Sequence, residues 1–169
     1  MFSNHKILTV LAATVAALGG FSTQVLAAST TGNAQATIVT PIAIAETQGM
    51  NFGSIGPDTA ASTVVLDTAG GVTSGTAQLV PGSGAAAGIF AVTGEATYTY
   101  AITLPASATL TSGANTMTVD TWSTTTGSGT ATLDGTGNDT VNVGATLHVG
   151  GGQAAGTYTG TYTITVDYN

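Results

Sequence analysis

The chain contains no cysteine, which removes disulfides and thiolate chemistry together. Cations are almost as scarce. Lys6 is the single Lys or Arg in 169 residues, against eight Asp and Glu. Nucleic-acid binding depends on Lys and Arg to neutralise phosphates, and attraction to anionic lipid depends on them too, so neither is expected. Windows with helical spacing of Leu, Glu or Lys are missing. Nucleophilic catalysis needs a nucleophile, a base and an orienting group. Beyond His5 near the start, the one His is His148, and no G-x-S-x-G elbow occurs. No catalytic residue, cofactor site or metal-ligand set is identified, and an enzyme is not expected.

The lone lysine sits in "MFSNHKILTVLAATVAALGGFSTQVLAA". A short positive start, an apolar run from Ile7 to Leu18, a Gly19-Gly20 break and the small-residue pattern Val25-Leu26-Ala27 have the layout of a secretory signal peptide. Residues 1–27 are therefore read as a leader cleaved after Ala27, and 28–169 as one domain. The apolar run is too short to span a bilayer comfortably, and no membrane insertion is expected after cleavage. The remaining chain keeps Glu46, Asp58, Asp67, Glu95, Asp120, Asp134, Asp139 and Asp167, with no cation beside them. The expected location is secreted, passing through the periplasm to the cell surface or beyond.

What the chain does have is Thr, Val, Ile and Tyr in short alternating runs, parted by Gly, Asn, Asp and Ser. Strands are expected over 35–46, 50–55, 62–67, 76–81, 88–94, 96–104, 115–122, 130–134 and 139–149. The closing stretch "GTYTGTYTITVDYN" alternates throughout: Tyr158, Tyr162, Ile164, Val166 and Tyr168 share one parity and the threonines share the other. Many short strands separated by turns predict an all-β, immunoglobulin-like antiparallel β-sandwich.

Three local features carry candidate chemistry. "DGTGNDTV" at 134–141 matches one unit of a calcium-binding glycine/aspartate repeat, but such arrays need several stacked units, and a polar hairpin loop is the plainer reading. His148 falls on the parity opposite Val141, Val143, Ala145, Leu147 and Val149, and so points to solvent. Trp122, the only Trp, is out of phase with Met117 and Val119. Either a β-bulge turns it inward, or it stands outside as a surface contact.

The segments "MNFGSI", "VNVGATLHV" and "GTYTGTYTITVDYN" resemble a bacterial secreted family catalogued as domain of unknown function 4402. The ending, and the N-F-G after the first strand, are also similar to the spore-coat-U-like subunits of chaperone–usher pili. Such subunits end in an alternating strand with a penultimate Tyr and a Gly upstream; Tyr168 and Gly156 stand at those positions. The resemblance implies a terminal strand read by a periplasmic chaperone, with export through an usher. It also implies an N-terminal extension that completes a neighbouring subunit, corresponding here to Thr31–Pro41 with Ile38 and Val39 as its larger apolar residues. The cysteines usual in those pilins are absent, and 35–46 reads equally as the domain's own first strand. The expected function is a structural subunit of a fimbria-like surface assembly that associates by strand exchange. The alternative is a monomeric adhesin or carbohydrate- or protein-binding module that uses Trp122.

Overall fold

The computed structural model describes residues 27–127 and 129–169. The expected leader lies almost wholly outside them. The chain divides into two units, Met1–Ala36 and Thr37–Asn169. The described part of the first, residues 27–36, is exposed and carries no strand.

The second unit is all-β and antiparallel, with no helix among the described residues. Its strands are β1 (Ala43–Gln48), β2 (Ile55–Gly56), β3 (Ser62–Leu66), β4 (Val72–Ser74), β5 (Gln78–Leu79) and β6 (Gly88–Thr93). They continue with β7 (Thr99–Thr103), β8 (Ala108–Ser112), β9 (Asn115–Thr124), β10 (Thr130–Thr132), β11 (Asn138–Val149) and β12 (Thr165–Tyr168). The large sheet runs β1-β6-β11-β3-β4, with β9 on β11 and β8 on β9. A three-stranded sheet, β10-β7-β12, and a two-residue ribbon, β2-β5, supply the opposing cover.

The central strand is β11. Its first half, Asn138–Val143, pairs with β6. Its second half pairs with β3 through Ala145–Val149 and with β9 through Val143–His148. Strict alternation puts Val141, Val143, Ala145, Leu147 and Val149 inside, all at or below 4% exposure. These five divide between two clusters. Val141 and Val143 join Phe90, Val92, Tyr100, Leu133 and Val166, which closes the large sheet onto β10-β7-β12. Ala145, Leu147 and Val149 join Phe52, Val64, Leu66 and Val119. This layering is that of a β-sandwich.

Register explains Trp122. Ser123 pairs with Gly144 and Asp120 with Thr146, so Thr121 and Trp122 together oppose Ala145 alone. Thr121 takes the left-handed conformation, φ +50°, of the first residue in a bulge. The extra residue reverses the parity and turns Trp122 in, where it packs against both clusters.

Several strands differ from the sequence expectation: 50–55 is strand only at its end in β2, 76–81 shrinks to β5, 96–104 starts at Thr99, β4 was not expected, and the two ends of the domain differ most. The 35–46 segment pairs only from Ala43: Ile42 and Ile44 pack on the second cluster, whereas Ile38 is 97% exposed. The 156–169 ribbon keeps its alternation, with every Thr exposed and Tyr158, Tyr162, Ile164, Val166 and Tyr168 half-buried or buried. It forms a ladder only at β12 and a single bridge at Thr159.

Leu147→Ala removes a side chain with 1% exposure from the strand that anchors the first cluster, and should lower unfolding free energy by about 2–5 kcal/mol in denaturant melts. Thr121→Gly relieves a β-branched residue held at positive φ and should raise stability by about 1 kcal/mol. Trp122 emission in that variant should stay that of a half-buried indole.

Candidate functional site

The inner face of β8, β9 and the end of β11 lacks a complete second layer. Leu110, Met117, Val119, Leu147 and Val149 form the floor of an open groove of about 580 Å³. One wall is 50–57, and the other is 153–162. The volume lies within the range of about 300–1,000 Å³ typical of ligand sites.

The first wall is built from "MNFGSI". Phe52 drops into the first cluster at 8% exposure. Asn51 exchanges both backbone bonds with Ala86, at 2.8 Å each, and its Oδ1 accepts the Gly53 N–H at 2.8 Å. Ile55 pairs with Leu79, and the Val80 N–H donates to the Ser54 carbonyl at 3.1 Å. Every one of the cross-chain backbone bonds runs to 78–86.

The second wall is the closing ribbon. The Thr111 N–H donates to the Thr159 carbonyl at 2.8 Å and the Thr159 N–H donates back at 3.0 Å, tying the ribbon to β8. Gly160 is needed for that approach, since a Cβ there would collide with the Thr109 carbonyl and Leu110. The Gln153 amide donates to Tyr158 Oη at 2.8 Å, and the Tyr158 hydroxyl donates to the Ala154 carbonyl at 2.8 Å. From Gly160 to Ile164 the backbone makes no backbone hydrogen bond among the described residues. The first wall thus bonds to 78–86 and the second to β8, and no described residue lining the groove is charged.

Trp122 and Tyr162 line the groove side by side, with ring centroids 4.9 Å apart and planes tilted by 32°. Trp122 Nε1 and the Tyr162 hydroxyl are buried without a hydrogen-bond partner among the described residues. Burial, aided by the Glu46 carboxylate, pushes the Tyr162 phenol up to about 12.

The remaining sequence-selected residues separate by position. Gly156, Tyr158 and Tyr162 lie on the groove. Ile164, Val166 and Tyr168 belong to the second cluster. Ile38 and Val39 sit in a segment without strand assignment, Ile38 fully out and Val39 half-buried. In "DGTGNDTV", Asp134 Oδ1 accepts the Thr136 N–H at 2.8 Å, the Thr136 hydroxyl at 2.7 Å and the Asn138 N–H at 2.9 Å. That carboxylate closes its own turn, as in an Asx turn. His148 is exposed and meets Asp120 at 2.8 Å across β11 and β9. Sequence reasoning missed Asp120, because only the strand register brings it to His148. It also missed β8, whose short run "ATLTS" follows a proline.

The fold and its gap define an antiparallel β-sandwich-type domain with an uncharged groove open in one layer. A family model described as "Domain of unknown function (DUF4402)" matches residues 42–168, well over half the chain, and the chain belongs to that family. Comparison with curated proteins finds no match, and comparison with solved structures finds none.

Three carboxyls, Asp134 exposed and Asp120 and Glu95 half-buried, are held below their ordinary values: Asp134 by the Asn138 N–H and Thr136, Asp120 by His148 and Thr121, and Glu95 by the Thr40 N–H. A lowered folded pKa contributes stability that is complete above the ordinary value and lost as pH falls through the lowered one. Thermal stability should therefore fall below the ordinary values of 3.8 for Asp and 4.5 for Glu. Asp134→Ala should melt lower at pH 7 and lose less on acidification, as read by circular dichroism melts across pH 2–7.

Proposed function

We propose that the protein is an exported structural subunit of a fimbria-like surface assembly, joined to its neighbours by strand exchange. The observation that carries this reading is the groove: an apolar floor beside a wall in which Gly160–Ile164 makes no backbone hydrogen bond among the described residues. An added strand can bond to that stretch, the general mode of β-strand addition. The candidate donor is 28–41 of a second copy. Among the described residues it carries no strand and its backbone is tied at Thr40, and Ile38 stands 97% exposed.

The magnitudes favour a donor with an apolar residue. Ordering each residue costs about 1–2 kcal/mol, and each backbone hydrogen bond returns about 0.5–1.5 kcal/mol. Pairing alone is close to neutral. Burying one Ile adds about 1.5–3 kcal/mol, so Ile38 tips the balance. Charge points the same way: the donor segment has none, nor does the groove lining, in a chain whose other charges past the leader are all negative.

The leader-like start and the resemblance of the closing ribbon to pilus subunits support export through the periplasm. There a chaperone would shield the open groove and an usher would receive the subunit. The second reading, a monomeric adhesin or carbohydrate-binding module, is favoured by the Trp122–Tyr162 pair, since stacked aromatics suit sugar faces as well as chains.

The protein from Ala28 should form concentration-dependent oligomers in size-exclusion chromatography and fibres in electron micrographs, and a version lacking 28–41 should remain monomeric. A peptide of residues 34–41 added to the shortened protein should shift Trp122 emission and raise its melting temperature. If both proteins are equally stable monomers and the peptide changes neither signal, strand exchange is wrong. An emission response to oligosaccharides instead would establish the second reading.

A further inference from the structure

Past the leader the chain holds two sulfur atoms, those of Met50 and Met117. Both residues line the groove. Met117 lies in the floor, on β9 opposite Leu110 of β8, and Met50 opens the first wall just before Asn51. Each is half-buried, so both stand on the open face of the groove rather than in sealed core. The other floor residues, Leu110, Val119, Leu147 and Val149, are aliphatic and inert to mild oxidants. A thioether is not: it takes up one oxygen to become a sulfoxide, a polar product that can be reduced again.

The surroundings of Met50 fit that product. Met50 packs against both core clusters, as does Trp122. A Cβ at Gly88 would stand 2.5 Å from the Tyr162 hydroxyl and 3.6 Å from Met50 Cβ, so Met50 and Tyr162 flank one narrow space. The Tyr162 O–H and the Trp122 N–H are buried donors without an acceptor among the described residues, and a buried donor left unpaired is costly. Thioether sulfur accepts hydrogen bonds only weakly, whereas a sulfoxide oxygen accepts them well. An oxygen added to Met50 would give the Tyr162 hydroxyl an acceptor and tie the first wall to the closing ribbon. An oxygen added to Met117 would put an unpaired polar atom into the apolar floor.

We propose that the groove is an oxidation-sensitive site: hydrogen peroxide converts Met50 and Met117 to sulfoxides, and the groove then rejects the apolar occupant that it takes when reduced. In each step the sulfur attacks one peroxide oxygen. The S–O bond forms as the O–O bond breaks, and sulfur gives up two electrons. The departing hydroxide takes the proton of the transferred oxygen and leaves as water. Seating an apolar side chain over an unpaired sulfoxide oxygen weakens its binding roughly ten- to hundredfold. The consequence for assembly rests on the strand-exchange reading; the oxidation and the change in groove polarity do not. Enzymatic reduction of the sulfoxides restores the groove.

The test uses the protein from Ala28, dilute hydrogen peroxide, and Nile red as a neutral apolar probe of the groove. Peroxide should add one oxygen each to Met50 and Met117, located by fragment mass spectra. Nile red affinity should then fall at least about tenfold, oligomers should dissociate in size-exclusion chromatography, and methionine sulfoxide reductases should return both signals. A variant carrying Met50→Leu and Met117→Leu conserves volume. It should bind Nile red like the reduced protein and ignore peroxide, with circular dichroism confirming its β-fold. The proposal is overturned by sulfurs that resist a peroxide dose sufficient for free methionine. It is equally overturned by a reduced protein that binds no dye, by sulfoxides that leave dye affinity unchanged, or by a leucine variant that responds to peroxide as the parent does. Strand exchange fails separately: a reduced protein that never associates, or oligomers that survive while dye binding is lost, would sink that reading and leave the oxidation-sensitive groove standing.

Discussion

Both halves of the core are built on one face of one strand. β11 buries five residues in unbroken alternation, Val141 through Val149, and its two halves need separate cover. The first half receives a full second sheet, β10-β7-β12, and its cluster includes the fully buried Tyr100, whose hydroxyl donates to Asp139 at 2.8 Å. Burial, reinforced by that carboxylate, raises the phenol's pKa well beyond its ordinary value. The second half receives only the β2-β5 ribbon and the unladdered stretch before Ile164. The groove is the direct consequence of that unequal cover. It exists because the large sheet is wider over β3, β9 and β8 than the layer above it.

Much of this was legible in the residues. Period-two alternation identified the inner face of β11, the outward His148 and the facing of every residue in the closing ribbon. Alternation reports which side of a chain is buried, and it does so whether or not the chain is hydrogen-bonded. It therefore could not show that Gly160–Ile164 lacks a ladder. Pairing depends on whether a neighbour offers an edge, and that is a property of topology. The same limit applies at the other end. Ile38, Ile42 and Ile44 share a parity, yet only Ile42 and Ile44 find a sheet to pack on. Trp122 was ambiguous for a different reason. Its inward turn needs Thr121 at positive φ, a conformation that residue type disfavours, so the bulge left no sequence mark beyond a break in phase.

The missing cations have a structural counterpart. Carboxylates that other proteins pair with Lys or Arg are here met by N–H groups and hydroxyls close in sequence. Asp67 accepts from the Ala69 and Gly71 amides at 2.8 Å each. Asp58 accepts from Thr59 at 2.6 Å, and Asp139 from Thr140 at 2.7 Å. Asp67 and Asp134, whose bonds span two and four residues, close turns in this way and hold short loops in shape without disulfides. The one partner with an ionisable base is His148, and its bond to Asp120 is exposed on the outer face.

That charge pattern also bears on how copies can meet. Every charge from Ala28 onward is negative at neutral pH apart from the termini, so most orientations of two copies oppose like charge with like. At physiological salt such repulsion is screened beyond about 8 Å but persists at contact. The groove lining and the segment 28–41 carry no Asp or Glu, and Ile38 stands exposed on that segment. Lysines on sheet edges commonly guard against unwanted pairing. Here carboxylates are the only charged side chains from Ala28 onward available to oppose the approach of another chain, and the groove lining has none of them.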